Sequence, residues 1–233
     1  MSCWLTRDVR KRITEARNAG LGPHRWPEGC RGAERAWLVF VGPSPGGQNG
    51  ERDERGFDVP FRDEVFWEPV KDWSGGFRAS MRPLVEQITG LPFHQSGRTF
   101  AVANFDYVKN PDAGEVGLEK MSEGIPAVLR VLRETRPRVI VPMEARSTAL
   151  LIAGLVNRLG AQLKHRFVSR RILISPASGR KHPGLNIWKV ESDRANLLTG
   201  SYVVQLPQHP ARIYGRKYAL RVGKAVHRAV GVG

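Results

Sequence analysis

The sequence predicts an α/β fold: a three-layer α/β/α sandwich around a central, mainly parallel four-stranded sheet, with an inserted hairpin around 165–192. Three observations carry this. Four short runs, near 36–41, 99–103, 138–142 and 202–206, are apolar throughout rather than alternating, the pattern of strands covered on both faces. Segments of helical period lie between them, as parallel strands joined by crossovers require. Three of the runs empty into a loop bearing a polar or Gly/Pro group, at Gly42, Asn104 and His209.

Taken in order, residues 6–18 predict a basic amphipathic helix, with Val9, Ile13 and Ala16 on one face, Thr6 as cap and Asp8 in the first turn. Residues 20–35 read as a Gly/Pro linker. The first core strand is followed by a long loop, 42–76, and loops of that length inside a compact domain are usually functional. A helix over 78–89 ends at Gly90. A single helix is predicted over 118–134, with Leu118, Met121, Ile125, Val128, Leu129 and Leu132 on a broad apolar face. The helix over 145–159 is nearly apolar all round, which predicts burial on most sides. Segments 171–175 and 185–190 flank the Gly/Pro-rich stretch 176–184 as a hairpin, and a last helix covers 215–229. The chain reads as one domain, 1–233, with an N-terminal helical extension over 1–35 and an insertion over about 160–200.

Composition bounds the function. A hydrophobic content of 41% supports a core. No apolar run approaches the roughly 20 residues of a membrane helix. The N-terminus lacks the charged-then-apolar pattern of a signal peptide, so a cytoplasmic, nucleoid-associated monomer with no membrane partner is expected. Cys3 and Cys30 are too few for a four-ligand metal or iron–sulfur site, and neither metal nor cofactor is expected. Lys and Arg number 37 against 22 Asp and Glu, a net charge of +15. Such an excess attracts polyanions, the phosphate backbone of DNA above all. The stretch 212–221 is basic, carries Tyr214 and Tyr218, and adjoins His209.

The three strand exits converge in principle, because ligands in open α/β sheets bind at the carboxyl ends of the strands. Their residues are Gly42-Pro43-Ser44-Pro45-Gly46-Gly47, Asn104 and His209-Pro210-Ala211. In this order and context the chain resembles the uracil-DNA glycosylase superfamily, which has G-x-N-P-G or G-x-D-P-Y after strand one, Asn after strand two and His-Pro-Ser after the last strand. Gly56-Phe57-Asp58-Val59-Pro60-Phe61, followed by Phe66-Trp67, looks like the G-x-P-F stretch of the mismatch-specific and single-strand-selective branches. The helix–strand unit at 118–142, entered through Arg136-Pro137-Arg138, is also typical. The resemblance covers about 36–143 and 201–230. Ser44 stands where the family has Asn or Asp, Ala211 where it has Ser, and Glu144 where many members have Gly. The four cysteines of the iron–sulfur branch are absent.

The resemblance implies a monofunctional DNA N-glycosylase that flips a uracil, mismatched or modified pyrimidine out of DNA and hydrolyses its glycosidic bond. His209 would donate to the base O2 as charge accumulates there, a contribution of about 3–4 kcal/mol for a preorganised donor. Gly42, Pro43, Phe61 and Asn104 would line the base pocket, Phe61 by stacking and Asn104 by reading the Watson–Crick edge. Ser44 would orient the water. A lone hydroxyl is a poor base, so Asp53, Asp58 and Asp106 are candidate partners, with Asp58 preferred for its motif context; backbone groups alone are the alternative. Arg212, Arg216 and Lys217 would hold phosphates, and Arg212 or Ile213 would insert into the duplex.

The departures make a modified cytosine of phage DNA, and hence a defence role, a credible target beside DNA repair. Two other readings stand against the enzyme: a catalytically inactive DNA-binding protein on the same fold, and an unrelated α/β enzyme acting on a phosphorylated small molecule. The chain has no G-x-x-x-x-G-K-[ST] signature for the latter.

Overall fold

The computed structural model describes residues 31–32, 36–44, 76–92, 100–106, 116–173, 181–206 and 216–231. Along the chain these form β1 (Arg31–Gly32), β2 (Leu38–Gly42), α1 (Gly76–Thr89), β3 (Phe100–Asn104), α2 (Leu118–Glu123), α3 (Ile125–Thr135) and β4 (Val139–Pro142). Then follow α4 (Ala145–Leu159), β5 (Gln162–Leu173), β6 (Lys181–Ser192), β7 (Tyr202–Gln205) and α5 (Arg216–Val230).

One mixed sheet runs β1-β3-β2-β4-β7-β6-β5. Its centre, β3-β2-β4-β7, is parallel throughout. These are the four apolar runs of the sequence. The sheet is nevertheless wider than the four strands expected. The insertion does not stand apart: β5 and β6 pair antiparallel over their length, and β6 pairs antiparallel with β7, so the hairpin continues the sheet. Backbone groups along the β7 edge find partners there, which a free-standing hairpin would leave to water. On the other side Arg31–Gly32, within the segment read as a linker, pairs antiparallel with β3.

Side-chain alternation divides the core into two layers. Val39, Val41, Ala101, Ala103, Ile140 and Val203 face α2, α3 and α4, whose Met121, Val128, Leu132, Leu151 and Leu155 complete that cluster. Leu38, Phe40, Val102, Val139, Val141 and Val204 face α1 and α5, through Leu84, Ile88, Val222 and Val226. Strands apolar on both faces thus form the middle layer of an α/β/α sandwich.

Two helical expectations change. The predicted helix 118–134 is two helices, broken at Gly124. A Cβ at Gly124 would overlap the carbonyl oxygen of Phe105. The chain there lies against the loop leaving β3, and Pro126 opens α3 in a position that needs no amide. The second change is α4. Leu151 and Leu155 are buried, but Ala149, Ala153 and Val156 are exposed, with Val156 at 43%. Its all-round apolarity therefore overstated its burial, because one face lies outside the layer. The predicted helix 6–18 and most of the loop 42–76 lie outside the described residues.

The connection after the hairpin is fastened by Asp193. Its carboxylate accepts from the amides of Ala195, Leu197 and Leu198 at 3.1, 3.2 and 2.8 Å, and from the Thr199 hydroxyl at 3.3 Å. This turn delivers Ser201, whose hydroxyl donates to the Pro137 carbonyl at 2.6 Å, and so sets the entry of β7 beside β4. Arg138 donates to the Gly200 carbonyl at 2.9 Å and lies over the Tyr202 ring.

Candidate functional site

The strand order reverses direction at the centre of the sheet. From β2 the chain passes through α1, on one face, to β3. From β4 it passes into α4, on the other face, towards the hairpin. Neighbouring strands whose connections leave to opposite faces open a crevice at their carboxyl ends, the usual ligand position in such sheets. Gly42, Pro43 and Ser44 leave β2 at this crevice, and Met143 and Glu144 leave β4.

The exits of β2 and β3 are fastened together. The Phe105 amide donates to the Gly42 carbonyl at 3.0 Å, and the Asp106 amide to the Pro43 carbonyl at 2.8 Å. The pairing thus continues for two residues beyond the strand ends. Met143 donates its amide to the Val41 carbonyl at 2.9 Å and holds the β4 exit on the other side. Asn104, only 5% exposed, carries its carboxamide into the space that a side chain at position 42 would fill. A Cβ on Gly42 would collide with Asn104 Oδ1 and lie 3.4 Å from Met143 Sδ. Glycine at 42 is therefore required by close approach, not by backbone conformation.

Ser44 follows immediately. Its Oγ is shielded from solvent and has no hydrogen-bond partner among the described residues. A buried hydroxyl without a partner costs about 1–3 kcal/mol. Its position beside the crevice gives that cost a chemical use, because a water or substrate oxygen placed there would satisfy it.

Asp106 is a second buried polar group at the same exit, 2% exposed. Its Oδ2 meets Lys120 Nζ, from α2, at 3.0 Å. Glu144, at the N-cap of α4, pairs with Arg146 at 3.0 Å, and Arg146 also donates to the Val116 carbonyl at 2.9 Å. Two acid–base pairs thus flank the crevice, each with one member anchored in a helix over the same face.

Of the residues singled out by sequence, Gly42, Pro43, Ser44 and Asn104 come together, and Asp106 joins them. Asp53, Asp58, Phe61, His209, Arg212 and Ile213 lie outside the described residues. Arg216 and Lys217 open α5. Motif context prefers Asp58 as the partner of Ser44, and that residue lies outside the described ones; among the described residues Asp106 is an acid whose backbone is bonded to the Ser44 loop. Lys120, Glu144 and Arg146 were not singled out as participants. Lys120 reads in sequence as one cation of an amphipathic helix, and only the turn at Gly124 aims α2 at the β3 exit.

A separate cavity of about 540 Å³ lies between α1 and α5, lined by Glu86, Lys224, His227 and Arg228. It sits where α1 ends and the chain returns towards β3, at the opposite edge of the sheet. His227 Nδ1 donates there to the Ile88 carbonyl at 3.0 Å, which fixes the two helices to each other. Among the described residues no three His, Cys, Asp or Glu side chains are grouped to hold a metal, and no helix is long and apolar enough to cross a membrane. Comparison with protein-family models and with curated proteins gave no match.

Proposed function

We propose that the protein is a monofunctional DNA N-glycosylase whose active site is the crevice between the exits of β2, β3 and β4. The observation that carries the reading is the convergence on one fastened edge of Asn104, buried Asp106 and the Ser44 hydroxyl, which has no partner among the described residues. The net charge of +15 supports a polyanionic substrate.

In this reading the carboxamide of Asn104 pairs with the Watson–Crick edge of an extruded pyrimidine, using its donor and its acceptor together. The glycosidic C–N bond breaks with its electron pair leaving on the base, and the sugar develops oxocarbenium character. A water held by the Ser44 hydroxyl adds at the anomeric carbon. Asp106 accepts the water's proton, directly or through that hydroxyl, and the departed base anion takes up a proton from solvent. Lys120 keeps the carboxylate oriented. His209 serves as donor to the base O2. The product is an abasic site and a free base.

The test is incubation with oligonucleotides carrying uracil, a T:G mismatch or glucosylated hydroxymethylcytosine. Mass spectrometry detects the released base and alkali reveals the abasic site. Release of one base, lost in Asn104→Ala, is the expected result. No release from any substrate, with DNA binding intact, overturns the reading in favour of a silent DNA-binding module.

A further inference from the structure

We infer that the β5–β6 hairpin is a binding surface for single-stranded nucleic acid, a role that stands independently of base excision. The hairpin is strongly lopsided in charge. Residues 162–192 carry seven Lys or Arg and one acid, Glu191. β5 is the last strand of the sheet, so side chains from both of its faces flank an open edge.

The two faces differ. Register pairs His165 with Trp188 and Phe167 with Asn186, which places all four on the side that bears α3 and α4. There the His165 and Trp188 rings lie 5.0 Å apart, tilted by 36°. Phe167 is 46% exposed. An amide ladder crosses the same face: Asn186 Oδ1 meets His165 Nε2 at 3.1 Å, and Asn186 Nδ2 donates to Gln205 Oε1 at 3.2 Å. Gln205 is the last residue of β7, so the ladder begins at the sheet edge that carries the crevice. Lys164, Arg166 and Lys189 project to the other face along the same strands. Arg166 reaches the Ala229 carbonyl at the end of α5, and Lys189 lies 3.1 Å from Glu191.

A single strand lying along the β5 edge would meet cations on one side and rings on the other. Phosphates track the cations along the edge, and unpaired bases fold onto the exposed rings. A duplex offers no free base faces, so Phe167 would gain nothing from it. A second copy of this chain, pairing edge to edge, would bring Lys164 and Arg166 against their own equivalents, and clustered like charge on an edge strand opposes such pairing.

The experiment is fluorescence anisotropy with labelled oligothymidine and with a duplex of equal length, across a salt series. Phe167→Ala is expected to weaken single-strand binding about tenfold, the scale of one lost base–aromatic stack, and to leave duplex binding unchanged. Phe167→Trp is expected to restore it. Lys164→Gln is expected to lower the slope of log affinity against log salt by about 0.7, one phosphate's share on a single strand. Single-strand affinity unchanged by Phe167→Ala in a protein of native melting temperature overturns the inference, as does an equal loss on duplex. Base release is measured in parallel. Loss of release in Asn104→Ala with normal binding speaks only to the crevice, and loss of single-strand binding in Phe167→Ala only to the hairpin.

Discussion

Asp106 is held inside the protein at 3.0 Å from Lys120, whose own side chain is half in water. The pair joins the β3 exit to α2 and leaves the acid beside the Ser44 loop. Asp106→Asn keeps the shape and removes the charge. Its expected cost in stability is about 1.5–3 kcal/mol, the range for a hydrogen bond to a charged group. Base release should fall by at least about 100-fold, the lower bound for a lost general base. Lys120→Met should cost less in both, because a half-exposed ammonium is largely solvated before it pairs. Urea unfolding and single-turnover kinetics on the same variants measure the two effects.

Ser44 should separate stability from activity. Removing a buried hydroxyl that lacks a partner costs nothing and can stabilise. Ser44→Ala should therefore unfold at the same urea concentration as the parent or a higher one, by up to about 1 kcal/mol. Its base release should drop, because the water loses its anchor. A destabilised Ser44→Ala protein would mean that the hydroxyl is bonded after all.

Two glycines should resist the smallest substitution. Gly42→Ala drives a methyl into the Asn104 carboxamide, and Gly124→Ala drives one into the Phe105 carbonyl. Overpacking of this kind costs about 1–3 kcal/mol. Gly124→Ala should be the worse, since backbone yields less readily than a side chain. Thermal melts rank them. Gly42→Ala should also lose affinity for the released base, because its partner is the residue proposed to read it.

Asp193 sets a dependence on acid. Burial raises its pKa, but the amides of Leu198, Leu197 and Ala195 and the Thr199 hydroxyl outweigh burial, and the carboxyl titrates below its ordinary value of 3.8. A group depressed in the folded state contributes stability that is fully present above its unfolded value and lost as pH falls through the folded one. Asp193→Ala should cost about 1 kcal/mol at neutral pH, the scale of a lost capping side chain. The difference from the parent should hold from pH 7 to about pH 4 and shrink below it. Urea unfolding at a series of pH values reads this directly.

Much of the architecture was legible because it follows from local pattern. Runs such as Val39-Phe40-Val41 and Val139-Ile140-Val141 are apolar at every position, and only a strand covered on both faces buries them all. Gly160 closes α4 in the left-handed region at φ 61°, so that helix ends where its sequence says. The break at Gly124 was not legible, since its cause is the Phe105 carbonyl, 19 residues earlier in the chain. Nor was the placing of the hairpin in the sheet, because a strand's own residues do not name the neighbour it pairs with.

The same division holds at the site. The order of residues alone determined that Gly42, Ser44 and Asn104 leave parallel strands at their carboxyl ends, since every strand of a parallel set points the same way. That Asp106 stands beside the Ser44 loop was decided by the tertiary structure. Motif context favours Asp58, which lies outside the described residues, while Asp106 is brought in by the amide hydrogen bonds that continue the β2–β3 ladder past its last residue. Hydrogen bonds between strands separated by some sixty residues of chain carry no local signature, so only the folded sheet could show which side chains share the crevice.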